Sequence, residues 1–311
     1  MTSLRIGTDC SGIEAPIEAI KKICKAYPKL NYKHVFSSEI DEYAITYIKD
    51  NHNPEILYND MQKRNTKELP KLDIYVAGFP CQPFSRANKF KTDVDPRLNL
   101  FKNCVDVIKN SNPDLFILEN VKTLVTLDNG SYFNKILKQL EDINRYNIHW
   151  KVLNTKDYGI PQCRERLYII GINKNKSKQQ EQFSFPKEIK MKNLTDFIDT
   201  ENVTKKEIKE SNKELFKNIP KNSVFIDIGF RKAKYPNSDK WAPCITAQAN
   251  MWCVPMQRKA TVKEYLMLQG FPTNVKQTIS DHQMKKKIGN SMTVNVIETL
   301  LLAGLVSLNK L

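Results

Sequence analysis

The chain has 311 residues, 41% of them hydrophobic, and a formal net charge of +15, enough to bury a sizeable core in one large domain plus a smaller one. No apolar run reaches membrane-span length and the start "MTSLRIGTDC" lacks an apolar leader, so an intracellular protein of cytoplasm or nucleoid, without a membrane partner, is expected. Seven cysteines without paired spacing argue for reduced thiols rather than a disulfide framework, and no metal is expected.

The first half alternates short apolar strands with amphipathic helices. "LRIGTD" (4–9) reads as a strand and "APIEAIKKICKAY" (15–27) as a helix. "HVFSSE" (34–39) is a strand, followed by helical "DEYAITYIKDN" and strand-like "EILYN". "LDIYVAG" (72–78) and "DLFILENV" (114–121) are strands on either side of helical "NLFKNCVDVIKNS". "YFNKILKQLEDI" is a helix, and "HWKVLN" and "RLYIIGI" are late strands. The pattern predicts an α/β fold with a doubly wound, mostly parallel sheet and ligands at the carboxyl ends of its strands. After Ile172 the texture becomes polar and weakly periodic, which marks a smaller domain over 173–257. Helical pattern returns in "TVKEYLMLQGF", and "GNSMTVNVIETLLLAGLVSL" is expected to form one apolar helix, so that 1–172 plus 258–311 make the larger domain.

Charge is uneven between these parts. Residues 1–172 carry 25 Lys and Arg against 21 Asp and Glu, whereas 173–311 carry 24 against 13. An excess of that sign suits a polyanion, although lysine-rich solvated surface has the same composition.

Several strand ends carry residues suited to chemistry. The loop "DCSGIEAP" opens a helix after the first strand, where a nucleotide-like cofactor sits in doubly wound folds. Glu39 and Asp60 follow the next two strands, and carboxylates there suit an adenosine moiety. Cys81, in "GFPCQPFSRAN", lies on a loop stiffened by Pro80 and Pro83. A lone cysteine is most often a small buried hydrophobe, but a preorganised loop after a strand suits a nucleophile. Glu119 ends the adjacent strand. In "GIPQCRERLYIIG", Gln162, Arg164 and Arg166 alternate, which would turn Arg164 and Arg166 to one side of a strand.

Taken in order, "DCSG", "SSEIDEYA", "NDM", "GFPCQPFSRAN", "DPRLNLF", "LENVKTL", "VLNTKDYGIPQCRERLYIIG", "TVKEYLMLQGFP" and "GNSMTVNVI" resemble the DNA cytosine-5 methyltransferases over nearly the whole chain. The resemblance implies a Rossmann-like S-adenosylmethionine-dependent methyltransferase fold with a target-recognition domain at 173–257. It implies a monomeric enzyme acting on duplex DNA, in restriction–modification, viral self-protection or regulation. Cys81 would be the nucleophile, with Glu119, Arg164 and Arg166 as catalytic partners. The cofactor would lie among Gly12, Glu39, Ile40, Asp60, Met61, Phe79, Asn290 and Ser291. Ser85, Arg97, Gln162 and Thr246 would face the nucleic acid, whose target base must be flipped from the stack to reach Cys81.

The chain departs from the family pattern at three places. The usual Phe-x-Gly-x-Gly is Cys10-Ser11-Gly12-Ile13-Glu14, the tryptophan after the ribose-binding glutamate is Ile40, and Thr-Leu is Thr246-Ala247. A tRNA methyltransferase of related architecture is the main alternative, since one branch of the family modifies tRNA. A non-enzymatic relative fits poorly with intact Cys81, Glu119, Gln162, Arg164 and Arg166. A dinucleotide-dependent enzyme would want a Gly-x-Gly-x-x-Gly turn, and the first loop has one glycine.

Overall fold

The computed structural model describes residues 2–80, 98–176, 183–201, 219–229 and 238–311. Seven strands form one sheet: β1 (Thr2–Asp9), β2 (Leu30–Ser38), β3 (Ile56–Tyr58), β4 (Ile74–Ala77), β5 (Leu115–Val121), β6 (Tyr146–Asn154) and β7 (Glu165–Asn173). Their order is β3-β2-β1-β4-β5-β7-β6. The pairs β1–β2, β2–β3, β1–β4 and β4–β5 are parallel, and β5–β7 is antiparallel. The doubly wound, mostly parallel arrangement expected from the alternation is therefore present. Strand order reverses between β1 and β4, which opens a crevice at their carboxyl ends.

Local sequence explains the helices around this sheet. Helix α1 (Ala15–Ala26) carries Pro16 in its first turn and buries Ile17, Ile20 and Ile23 at helical spacing. Helix α2 (Glu42–Asn51) is capped by Asp41, whose carboxylate accepts from the N–H groups of Tyr43 and Ala44. Helices α3 (Leu98–Ser111) and α4 (Ser131–Glu141) follow. Val35, Phe36, Tyr75, Val107, Phe116 and Leu118 are among the residues that fill the core they share with the sheet. Lys310 lies 2.6 Å from Asp73 and 2.7 Å from Asp114, fastening the chain's end beside β4 and β5.

The chain divides into two compact units: Met1–Leu153 with Glu165–Lys187 and Ile297–Leu311, and Asn154–Arg164 with Glu188–Val296. The second holds a small antiparallel sheet of β8 (Phe225–Asp227), β9 (Met251–Cys253) and β10 (Arg258–Lys259). It also holds α5 (Val262–Gln269), closed at its start by a reciprocal Thr261–Glu264 cap, and α6 (Asp281–Asn290). Segments 154–164 and 258–296, expected in the larger domain, thus cluster with the second unit.

The single C-terminal helix expected from sequence is broken. Helix α6 ends at Asn290 and α7 (Val294–Ser307) begins after an extended Ser291. The break has a cause in side-chain competition for carbonyls. Gln269 Nε2 donates to the carbonyls of Ile288 and Ser291 at 3.0 and 3.2 Å, taking acceptors that a continuous helix would use. Among the described residues one segment, Asp281–Ser307, has the length and apolarity of a membrane span, yet 67% of that window is buried inside the protein, as in a core helix.

Gly171 on β7 lies opposite Phe116 on β5, and a Cβ there would stand 2.0 Å from the Phe116 ring. Gly171→Ala should destabilise the protein by about 1–3 kcal/mol through overpacking, read as a lower denaturant midpoint with unchanged slope.

Candidate active site

In the first unit, the loop after β1 meets the end of β2. Gly12, at φ +55°, donates its N–H to Glu39 Oε2 at 2.8 Å, and a Cβ at Gly12 would meet nothing within 4 Å. Open space beside a main-chain N–H is what a ligand approaching this loop requires. Glu39 Oε1 accepts from the N–H groups of Ile40 and Asp41, both at 2.9 Å. Burial pushes the Glu39 carboxyl above its ordinary range, against the pull of these N–H groups.

Beyond Glu39 a cleft of about 780 Å³ is lined by Ile40, Tyr58, Asn59, Asp60 and Arg64 among others. Ile40 and Asp60 therefore meet in one cavity, and Ile40 is 73% exposed. Met61 is buried behind it, its sulfur 3.8 Å from the Cys10 thiol, which burial holds well above the usual cysteine range. Arg64 was not singled out by the sequence. Its guanidinium pairs with the buried Asp9 carboxylate and lies 4.9 and 5.2 Å from the rings of Phe36 and Tyr58. Tyr75 donates its hydroxyl to the same Asp9 oxygen at 2.7 Å. This cluster fixes the segment carrying Asp60 and Met61 beneath the cleft.

Phe79 is buried against Phe101 at 5.3 Å between ring centroids. Its carbonyl accepts from Asn120 Nδ2 at 3.0 Å, while Asn120 Oδ1 accepts from the N–H of Val121. Asn120 thereby ties the end of β5 to the chain two residues before Cys81. Cys81, Ser85 and Arg97 themselves lie outside the described residues. Glu119, on the opposite face of β5 from Asn120, lies 3.3 Å from Arg166 Nε. The antiparallel register sets Glu119 against Tyr168 and Val121 against Arg166, which makes Glu119 and Arg166 diagonal neighbours.

In the second unit a buried polar network surrounds Gln162 and Arg164. Gln162 is fully buried: its Oε1 accepts from Ile245 N–H at 2.9 Å, and its Nε2 donates to Leu268 carbonyl and Gln269 Oε1. Arg164 Nη1 donates to the carbonyls of Ile245 and Gly289 at 2.6 and 3.2 Å, and Nη2 to that of Ser291 at 2.5 Å. The strand begins only at Glu165, so the expected alternation fails at Arg164. The arginines have different work: Arg164 holds carbonyls, and Arg166 pairs with Glu119. Gln162, expected at the nucleic acid, instead braces the chain beside Thr246. Thr246 and Asn290 are exposed, whereas Ser291 is buried and donates to the carbonyl of Met292. Among the described residues no cluster of His, Cys, Asp or Glu could hold a metal.

Residues 8–303 match the model of the C-5 cytosine-specific DNA methylase family. The chain belongs to this family. It is 36% identical to the Type II methyltransferase M.HaeII of Haemophilus aegyptius, over 89% of this chain and 87% of that protein. It is 35% identical to the Type II methyltransferase M.NgoBI of Neisseria gonorrhoeae, over 88% and 86%. The fold is similar to the crystal structure of S. pombe Dnmt2 methyltransferase, with a TM-score of 0.72 at 21% identity over 98% and 99% of the two chains. The protein is thus a DNA cytosine-5 methyltransferase.

For such an enzyme, Asn120 and Gly289 are informative positions. Asn120→Ala frees the chain at Phe79 and should lower kcat about 100-fold, with a stability loss of about 1–2 kcal/mol, separable by steady-state kinetics and denaturation. A Cβ on Gly289 would stand 2.2 Å from the Thr246 carbonyl, which is backbone and yields poorly. Gly289→Ala should therefore displace Thr246 and weaken DNA binding, measured by fluorescence anisotropy.

Proposed function

We propose that the protein transfers a methyl group from S-adenosylmethionine to carbon 5 of a flipped-out cytosine in duplex DNA, at a specific sequence. The observation that carries this reading is the Asn120 bond to the Phe79 carbonyl, which fastens the chain entering Cys81 to the strand end bearing Glu119. The Cys81 thiolate adds to carbon 6 of the cytosine, breaking the ring conjugation and making carbon 5 enamine-like. Glu119, steadied by Arg166, holds the pyrimidine edge near N3 as charge develops. Carbon 5 takes the methyl group as its bond to the donor sulfur breaks, leaving S-adenosylhomocysteine, and loss of the carbon 5 proton to water then lets the Cys81 thiolate depart and restores the ring.

The cofactor supplies an electrophilic methyl group. Three features fit it: the open space at Gly12, the Glu39 carboxylate whose Oε2 takes one N–H and would accept from ribose hydroxyls, and the cleft at Ile40 and Asp60 that would take the adenine. Met61 and Phe79, both buried, are read as cofactor-binding side chains as well, and so are Asn290 and Ser291. Arg164 and Gln162 set the main chain that presents Thr246 to the nucleotide, and Ser85 and Arg97 are taken as further nucleic-acid contacts. The second unit, most of which lies within the basic stretch 173–311, reads the target sequence. M.HaeII and M.NgoBI are Type II methyltransferases, which favours duplex DNA over tRNA.

The test is transfer of a radiolabelled methyl group from S-adenosylmethionine, with duplex DNA and bulk tRNA offered separately. DNA should be labelled by the wild type, and Cys81→Ala should abolish transfer while retaining DNA binding. Label confined to tRNA would move the substrate to RNA, and residual turnover by the variant would remove Cys81 as nucleophile.

A further inference from the structure

The turn after β1 depends on a residue that the reaction does not use. Cys10, Gly12 and Glu14 have φ of +49°, +55° and +62°. Glycine takes this left-handed region freely, whereas a glutamate rarely does. Glu14 is also fully buried, a second unfavourable placement for a carboxylate.

The surrounding donors explain why it is there. Glu14 Oε1 accepts from the Thr8 hydroxyl on β1 at 2.8 Å and from the Ser37 hydroxyl on β2 at 2.6 Å. His34 Nε2 lies 3.6 Å from the same oxygen and 2.9 Å from the Ser37 hydroxyl. Burial pushes the carboxyl up, but His34 and Ser37 pull it further down, so it sits below its ordinary range. Its main chain is equally engaged. The Glu14 N–H donates to the Ser11 carbonyl at 2.9 Å, and its carbonyl accepts from Ile17 and Glu18 to begin α1. One side chain thus pins the turn to two strands while its backbone starts the helix.

We infer that Glu14 is a positioning residue for the methyl donor, holding the Cys10–Glu14 turn in the trace that brings the Gly12 N–H onto Glu39 and keeps the space beside Gly12 open. This rests on the S-adenosylmethionine reading of that pocket. A glycine at position 14 would adopt the same φ without strain but could not bind Thr8, Ser37 or His34. Strain and pinning therefore make opposite predictions for Glu14→Gly.

The experiment is calorimetric binding of S-adenosylhomocysteine to the full chain, wild type against Glu14→Gly and Ser37→Ala. Thermal midpoints and the Kd for duplex DNA without cofactor are measured beside it. Pinning predicts that Glu14→Gly raises the S-adenosylhomocysteine Kd about tenfold or more and Ser37→Ala about threefold, while the DNA Kd stays within about twofold. In kinetics, KM for the methyl donor should rise more than kcat falls. Wild-type affinity in Glu14→Gly overturns the inference, as does an equal loss of DNA and cofactor binding with a lowered midpoint, which marks a merely structural role. Should Glu14→Gly fail to fold, Ser37→Ala decides on the same readouts. A folded wild type that binds no S-adenosylhomocysteine overturns the cofactor reading itself and this inference with it.

Discussion

Everything at this site hangs on the reversal of strand order between β1 and β4. Parallel strands all deliver their carboxyl ends to one edge, and reversal parts the loops there instead of crowding them. Gly12 follows β1, Glu39 follows β2, Asp60 follows β3 and Phe79 follows β4, while Glu119 lies near the end of β5. Their separation along the chain is therefore no obstacle to shared chemistry. The sheet also sets what each loop can do. Rigid strands buried on both faces fix the first residue after each end, so a hydrogen bond such as Gly12 to Glu39 joins two well-placed points.

That organisation was legible because a parallel sheet writes itself locally. "IYVA" and "LFILENV" are short apolar runs bounded by polar residues, and the helices between them repeat at helical spacing. Strand ends, and hence Glu39, Asp60 and Glu119, could be located from that pattern alone. What stayed hidden were side chains whose partners are distant. Arg164 binds carbonyls 81 and 127 residues away, and nothing near it in sequence announces this. The same holds for Asn120, 41 residues from the carbonyl it holds, and for Arg64 against Asp9. The broken C-terminal helix failed to show for a related reason. Its apolar stripe is continuous, and the interruption comes from Gln269 competing for its carbonyls.

Arg164 also shows why residue type at such a position is narrow. Three carbonyls from two segments converge on one buried guanidinium, at Ile245, Gly289 and Ser291. A planar fork with several fixed donors can serve them together, whereas a lysine ammonium on a flexible stem would not match their directions. Gln162 works beside it as a neutral bracket, accepting from Ile245 N–H while Arg164 takes the Ile245 carbonyl. Both main-chain groups of the residue before Thr246 are consequently held. An exposed threonine with a fixed backbone can present its side chain at low entropic cost.

Two carboxylates near Gly12 divide the work between ligand and fold. Glu39 and Glu14 lie on either side of Gly12, and burial opposes ionisation in both. At Glu14 the opposition is overcome by His34, by His52 and by the Ser37 hydroxyl, so its carboxyl sits below the ordinary range without help from a ligand. At Glu39 the donors are main-chain N–H groups alone, and its carboxyl stays above the ordinary range. Additional donors would stabilise the ionised form of Glu39, and ribose hydroxyls are donors of the right kind. From such donors Glu39 would gain what Glu14 already has from the protein. The spare accepting capacity of one carboxylate is thus what suits it to binding, and the bonds of the other's Oε1 to both strands are what hold the turn.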